Sequence, residues 1–462
     1  MLNMGDYRLS SYTIFVRLED ADGKYMLVHG YTGAIDVVSE KISNYLNSNT
    51  IFSEENIPFS KKIFDTLVSR GYITMKKSKE EFEYVSKLAS VLHKTVKASL
   101  ANFMFVVAYD CNFRCPYCFE NGLSDKGRQW SKKTFTKDMV DKAYDAMLKI
   151  EKNRALHVNP ITLYGGEPLL YENREIVEYI ITKGRSLGYR FEAITNGYDL
   201  DHFEDLLGPD MIYRLQVTID GIKENHNKKR IHYKDPNSFD RIVKNVKMAL
   251  AKEVQVAIRV NTDKSNFDDI AVIEDLFKGD MKSTGSQVYS ALLCNYDTEK
   301  KTSKIANFFD RKQFNQMHKN NNFKHKCQGI RITYLKLLEA IKGNKKMYFS
   351  SIGCGAQSGM YILDPFGEIY GCWDHIGDCR QVMGTYHDDM IKWTSIYYKW
   401  KNKNIGNTLK CRECKYAFYC HGGCPAKALF HNKDINIPFC DDFQNTFELS
   451  INRLYQNHIK QN

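Results

Sequence analysis

Three cysteines, Cys111, Cys115 and Cys118, stand on one short loop, Asp110-Cys111-Asn112-Phe113-Arg114-Cys115-Pro116-Tyr117-Cys118-Phe119-Glu120, directly after the apolar run from Phe103 to Ala108. That run reads as a strand. Three soft thiolates in so small a space can hold three corners of an iron–sulfur cluster, leaving its fourth iron without a protein ligand. A zinc loop is the alternative, but structural zinc takes four ligands, usually as two Cys-x-x-Cys pairs rather than a lone Cys-x3-Cys-x2-Cys.

A chain of 462 residues is long for one domain and suggests two to four. Its 66 basic and 55 acidic residues give a net charge of +11, which admits an acidic partner. Lys is nonetheless spread along the chain, as at Lys324, Lys326 and Lys345-Lys346, in the manner of a solvated surface. No basic block interleaved with aromatics favours nucleic acid. The opening Met1-Leu2-Asn3-Met4-Gly5-Asp6 lacks an apolar secretory core, so the thirteen cysteines do not read as disulfides. No apolar run approaches the ~20 residues that span a bilayer. These features predict a cytoplasmic protein without a membrane or nucleic-acid partner, in a strongly reducing or anaerobic setting.

Residues 9–74 read as a separate unit. Strand candidates at Tyr12 to Leu18, Tyr25 to His29 and Ala34 to Val38 include a hairpin turning through Gly30, Tyr31, Thr32 and Gly33. Ser39 is expected to cap a helix carrying Ile42, Tyr45 and Leu46, and Ser60 to start another carrying Ile63, Phe64, Leu67 and Val68 that ends at Gly71. A short strand follows at Tyr72 to Thr74. This order suggests a winged-helix-like domain over residues 1–80, with a linking helix over 81–100. A winged helix that only packs, or that binds DNA, is the alternative, but residues 59–70 offer only Lys61, Lys62 and Arg70 to phosphates.

Between residues 101 and 300 strands and helices alternate. Strand candidates fall at 103–108, 160–164, 190–195, 213–219, 254–261 and 287–293, with helical patterns near 136–151, 172–187, 200–207, 238–252 and 267–278. Six β/α units predict an α/β fold with a parallel sheet, whose strand ends supply the site. At those ends stand Gly165-Gly166-Glu167-Pro168, Thr195-Asn196-Gly197, and Thr218-Ile219-Asp220-Gly221 followed by His226 and Arg230. Arg259 and Asn261 end the fifth strand, and Asp297 follows the sixth as a candidate base. Residues 301–348 are Lys/Asn-rich with helical patches and read as a bridge.

The Cys loop, with Tyr117 before its last Cys, resembles the signature of the radical S-adenosylmethionine (SAM) enzymes. The resemblance implies a partial (β/α)6 TIM-like barrel and a 4Fe–4S cluster on Cys111, Cys115 and Cys118. Its open iron chelates SAM, and an electron from the cluster cleaves SAM to a 5'-deoxyadenosyl radical that abstracts hydrogen. It further implies SAM contacts from Tyr117, Gly165, Gly166, Glu167, Pro168, Thr195, Asn196, Thr218 and Arg230, with Arg259 and Asn261 also facing SAM. Thr218 stands where relatives carry Ser and keeps the hydroxyl, whereas Asn227 stands where they carry Asp, which puts a charge role there in doubt. For His226 and Arg230 the alternative is salt bridging on a helix surface.

Eight of the thirteen cysteines lie from Cys354 to Cys440. Cys354, Gly367 with Cys372, then Cys411-x2-Cys414-x5-Cys420-x3-Cys424 and Cys440 resemble the SPASM extension of radical SAM peptide maturases, here over residues 349–462. The extension implies two auxiliary 4Fe–4S clusters. Cys411, Cys414, Cys420 and Cys440 would hold the outer one, and Cys354, Cys372 and Cys424 three corners of the inner one. The inner cluster then has an open iron or recruits Cys379 or Cys327. Cys294 reads as a small buried hydrophobe.

The N-terminal module in turn resembles the recognition element of enzymes that mature ribosomally made peptides, which implies a precursor peptide bound through its leader by β-augmentation. Together these parts point to a peptide maturase that installs a cross-link, foremost a thioether because an open inner iron could take a substrate thiolate. Flavodoxin or ferredoxin would be the reductant. Carbon–carbon or carbon–oxygen cross-linking, epimerisation and sulfatase-maturase-like formylglycine formation use the same parts. An iron–sulfur DNA sensor is the reading from another class, and it leaves the SAM motifs without a use.

Overall fold

Alternating apolar positions near the N-terminus yield two small sheets. The strands β1 (Arg8–Leu9) and β5 (Ile73–Thr74) pair with each other, while β2 (Thr13–Arg17), β3 (Lys24–His29) and β4 (Ile35–Ser39) form an antiparallel sheet in that order. The computed structural model describes residues 6–97, 100–281, 285–293, 307–342, 347 and 349–459. The two expected helices occur at Glu40–Ser48 and Lys61–Ser69, and they bury Leu46, Phe64 and Leu67 with Phe52, Tyr72 and Ile73. Ser39 and Ser60 occupy the capping positions, but neither side chain accepts a capping hydrogen bond. Ser39 is still the last residue of β4, held in register opposite Lys24.

The chain divides into two compact units, each assembled from separated segments. The first takes described residues of 1–98, 329–354 and 403–462. In it the helix Phe443–Leu454 lays Phe447, Ile451 and Leu454 on Ile14, Val16, Met26 and Val28 of the N-terminal sheet, with Tyr334 and Leu337 of the helix Ile330–Lys342 completing that core. The helix Ser78–Lys97 contributes Val85 and Ala89 to a second cluster with Tyr12, Ile405, Ala417 and Phe418.

The second unit takes described residues of 99–328 and 355–402. Its six parallel strands are β6 (Asn102–Val106), β7 (Ile161–Tyr164), β8 (Phe191–Thr195), β9 (Ile212–Thr218), β10 (Gln255–Thr262) and β11 (Gln287–Leu292), neighbours in sequence order. They are short and mostly buried, as strands covered on both faces must be. The helices Lys137–Ile150, Arg174–Ser186, Ser238–Ala251 and Asp269–Phe277 fill the expected crossovers. The helix expected at 200–207 is instead a 3-10 stretch, Leu200–Leu206, kinked at Phe203.

Among the described residues the sheet does not close on itself. β6 pairs on its far side with β12 (Met360–Leu363), in parallel, and β13 (Glu368–Tyr370), β14 (Gly384–Thr385) and β15 (Lys392–Trp393) continue antiparallel. Among the described residues no helix is long and apolar enough to cross a membrane.

Candidate active site

The described motif residues between Cys111 and Asn261 lie in the last residues of the parallel strands or in the segments that follow them. Beyond β6 the chain enters the Cys loop, which is clamped from two sides. On one side Gly166 N donates to Ala108 O at 3.0 Å and Glu167 N to Asp110 O at 2.9 Å. A Cβ on Gly165 would meet Ala108 O at 2.2 Å, and one on Gly166 would meet Tyr109 O and Asp110 O at 2.5 Å. The two glycines are therefore what lets the loops lie backbone on backbone. On the other side Arg114 N donates to Ile231 O at 2.7 Å and Tyr233 N to Asn112 O at 3.0 Å, tying the loop to the segment after Arg230.

Glu167 is 2% exposed and organises the second and third strand ends. One carboxylate oxygen accepts from Leu169 N at 2.9 Å and Thr195 Oγ1 at 2.6 Å, and the other from Asn196 N at 2.6 Å. Burial pushes its carboxyl up to about 7 against the pull of those donors. Asn196 Nδ2 donates to Asn112 Oδ1 at 2.7 Å and reaches Cys111 Sγ at 4.0 Å, so the third strand end touches the thiol loop directly. Pro168 contributes its carbonyl, which accepts from Asn173 Nδ2 at 3.4 Å.

A second network gathers Tyr117, Asp220, Arg230 and Asn261. The Tyr117 hydroxyl donates to Asp220 Oδ2 and accepts from Arg230 Nη1 at 3.1 Å, while Asn261 N donates to Asp220 Oδ1 at 2.9 Å. Arg259 Nε donates to Asn261 Oδ1 at 2.8 Å, and in register Arg259 stands opposite Thr218. Arg230 and His226 are buried, which removes the alternative of surface salt bridging. Arg230 Nε is buried without a hydrogen-bond partner, an unused donor on a cation that also favours the thiolate of Cys115. Asn227 Oδ1 accepts from Phe239 N at 3.2 Å, at the start of the helix Ser238–Ala251. The use made of that side chain needs an acceptor oxygen and no charge.

The sequence reading missed Asp220 as a site residue, although it lay inside a quoted motif, and it missed Asn112. Asp297 and Cys294 lie outside the described residues.

Burial pushes the thiols of Cys111, Cys115 and Cys118 above the usual range, and neighbouring thiols raise Cys111 and Cys118 further. Among the described residues no three His, Cys, Asp or Glu side chains close around one point tightly enough to share a single ion. Three coupled soft thiols on one loop fit an iron–sulfur cluster that gives each thiolate its own iron. Binding it requires the three protons to leave.

In the first unit Cys411, Cys414, Cys420 and Cys440 are mutual electrostatic neighbours. Burial first, then the other thiols, pushes Cys411 up to about 11 and Cys420 up to about 12. His421, Gly422 and Gly423 follow in left-handed backbone, and a Cβ on Gly423 would meet Phe439 O at 2.5 Å, so this bend packs against the residue before Cys440. Cys424 occupies the N-cap position of the helix Pro425–Asn432, without a capping bond from its side chain. Cys354 belongs to the first unit and Cys372 to the second. Cys379 is exposed, and Cys327 is buried in a parallel bridge with Ser290 of β11.

The radical SAM superfamily model matches residues 105–276. The chain carries a radical SAM domain. It is 23% identical over 379 residues to a cysteine-type anaerobic sulfatase-maturating enzyme of Clostridium novyi, covering 77% of this chain and 96% of the relative. It is 21% identical over 451 residues to the radical SAM cyclopropyl synthase TigE of Paramaledivibacter caminithermalis, covering 92% and 90%. Among solved structures, Streptococcus suis SuiB bound to its precursor peptide SuiA has the same fold, with a TM-score of 0.52 at 14% identity over 94% of this chain and 99% of that one. Membership of the radical SAM family implies SAM and a 4Fe–4S cluster, and the residues that would hold the cluster are Cys111, Cys115 and Cys118.

Proposed function

We propose that this radical SAM enzyme matures a ribosomally made precursor peptide, taking its leader on the edge of β4 and abstracting hydrogen from a core residue to install a cross-link. The observation that carries the reading is the open edge of the N-terminal sheet. β4 is a terminal strand, and among the described residues no strand pairs with its outer side. His29 N donates to Ala34 O, so hydrogen-bonded pairs alternate from that point and the amide and carbonyl of Val37 face outward. An extended peptide needs such groups to add as a further strand.

The extents of the two relatives support the same choice. The sulfatase-maturating enzyme is matched over 96% of its own length yet accounts for 77% of this chain, whereas TigE accounts for 92%. The additional chain is what a leader-binding module requires. Two auxiliary clusters fit the cysteine order, the outer one on Cys411, Cys414, Cys420 and Cys440. Bound at the Cys111 loop, cluster and SAM supply the radical that takes hydrogen from a substrate carbon. Around them Glu167 fixes two strand ends, the Tyr117–Asp220–Arg230 network holds a buried cation beside the thiols, and Arg230 Nε remains as a donor for an incoming carboxylate.

A thioether is the product we favour, since a seven-thiol set leaves one auxiliary iron for a substrate thiolate. Anaerobic reconstitution with a Cys-containing precursor encoded beside this gene is the test. Loss of two hydrogens per link, with the cysteine no longer alkylatable, is the expected result. An alkylatable cysteine with the same mass loss would move the product to a carbon–carbon or carbon–oxygen link, and an unchanged mass with inverted stereochemistry would make the enzyme an epimerase. Conversion of a leaderless Cys peptide to an aldehyde that has lost its sulfur would instead establish formylglycine formation, the reading that the match to sulfatase-maturating enzymes favours.

A further inference from the structure

Radical chemistry at the Cys111 loop consumes an electron that must come from outside the chain, and tunnelling restricts where its donor can sit. Residues 126–133 follow that loop after five intervening positions, the last of them Asp125, and contain Lys126, Arg128, Lys132 and Lys133 with no acidic residue among the eight. All four are exposed. Among the described residues Arg128, Lys132 and Lys133 form no ion pair with a carboxylate. Lys137, Lys142 and Lys183, in the two helices that follow, are paired with Glu175, Asp138 and Asp141. Three exposed cations without a carboxylate partner thus stand within the six positions 128–133.

That stretch is fixed rigidly to the start of the thiol loop. Trp130 stacks on Tyr109 with ring centres 4.4 Å apart, and on Phe366 at 5.2 Å. Ser131 O accepts from Tyr109 N at 3.0 Å, and Tyr109 precedes Cys111 by two residues. Lys133 Nζ lies 4.2 Å over the Phe366 ring and Lys126 Nζ 4.3 Å over that of Trp130. Two of the four charges thus stand over aromatic rings, and those rings pack against Tyr109, two residues before Cys111.

We propose that Arg128, Lys132 and Lys133 form the docking surface for a small acidic one-electron carrier protein. Complementary charge would steer such a carrier to this face and hold it beside the Cys111 loop. In the transfer the carrier's reduced centre, a flavin hydroquinone or a reduced iron–sulfur cluster, loses one electron to the enzyme's iron–sulfur site, and no bond is made or broken. The proposal rests on the chain's being a radical SAM enzyme, and the test separates the two.

Reconstituted wild type, Lys132→Glu/Lys133→Glu and a matched control, Lys149→Glu/Lys152→Glu on exposed positions elsewhere in the same unit, are compared for binding of a purified flavodoxin and a purified ferredoxin by calorimetry. They are also compared for 5'-deoxyadenosine formation driven by either carrier or by dithionite. The expected result is a rise in the carrier's Kd of about tenfold or more for the Lys132/Lys133 variant at low salt, converging with wild type near 1 M salt where charges are screened. Its carrier-driven rate should fall in parallel and its dithionite-driven rate stay unchanged, while the control behaves as wild type. Equal carrier affinity in wild type and variant, equal weakening by the control, or no binding of either carrier to wild type would overturn the docking surface. Absence of dithionite-driven cleavage in wild type would overturn the radical SAM chemistry itself.

Discussion

Glu167 shows how one residue can carry a site that no single motif describes. Its two oxygens collect donors from its own loop, from Thr195 and from the amide of Asn196, and Asn196 then reaches the thiol loop. Glu167→Gln would turn an amide NH2 toward one of these donor sets. We expect a loss of roughly 1–3 kcal/mol in denaturant unfolding, the cost of a buried donor left without an acceptor, together with weaker SAM binding in equilibrium dialysis. His29 makes a different kind of prediction. Its Nδ1 accepts from the amides of Tyr31 and Thr32, which places the proton on Nε2, facing Ser10 Oγ at 3.0 Å. Burial lowers its pKa from 6.5 to about 4. The unfolded chain therefore takes up more protons between those values, so stability is complete above about pH 6.5 and falls as pH drops toward 4. The shift is worth ~3 kcal/mol over that window, and His29→Gln should flatten the pH dependence of the unfolding midpoint. The motif residues were legible because each sits in a short signature. Asp220 and Asn112 were not, because their partners, Tyr117, Asn261 and Asn196, come from other strand ends that only the folded sheet brings near.

At the scale of elements, the six parallel strands were legible almost to the residue, since each is a short apolar run bounded by turn residues and separated from the next by a helical period. Two features were not. The stretch 200–207 has a helical pattern, yet it folds as kinked 3-10 turns within the crossover between β8 and β9. The extension of the sheet through β12 escaped because pairing Met360–Leu363 with Asn102–Val106 joins segments more than 250 positions apart, and no local pattern reports such a partner. The edge of β4 supports an element-level prediction. Val37→Pro removes the outward amide that an added strand would use and leaves the β3 side intact, because Val37 is not in a hydrogen-bonded pair with Met26. Precursor binding should weaken by about tenfold, the loss of one strand-to-strand hydrogen bond with its neighbours displaced, while SAM cleavage without peptide stays as in wild type. Unchanged binding by fluorescence anisotropy would rule this edge out.

For the whole molecule, the order of segments in sequence differs from their order in space. The N-terminal sheet reads as a detachable module, and excising residues 1–80 would be the natural way to ask whether leader binding matters. The fold argues against a clean excision. Ile14, Val16, Met26 and Val28 share one core with Phe447, Ile451 and Leu454, and Tyr12 lies in a cluster with Cys411, Ala417 and Phe418 while its hydroxyl donates to the Arg412 carbonyl. Removing those strands bares apolar side chains on both remaining segments, each at a cost comparable to the roughly 3–5 kcal/mol of deleting a large buried side chain. The second unit keeps its own sheet and the three thiols of the Cys111 loop. We therefore expect a chain lacking residues 1–80 to be reconstituted with fewer irons, short by the four of the outer auxiliary cluster and by those of the inner one, whose Cys354 and Cys424 lie in the same unit, and to cleave SAM under dithionite still. Iron analysis and 5'-deoxyadenosine measurement on the same preparation check this. A truncated chain with full iron content would show that Cys411 to Cys440 fold without the N-terminal sheet, and the shared core would then not be what holds that cluster's ligands together.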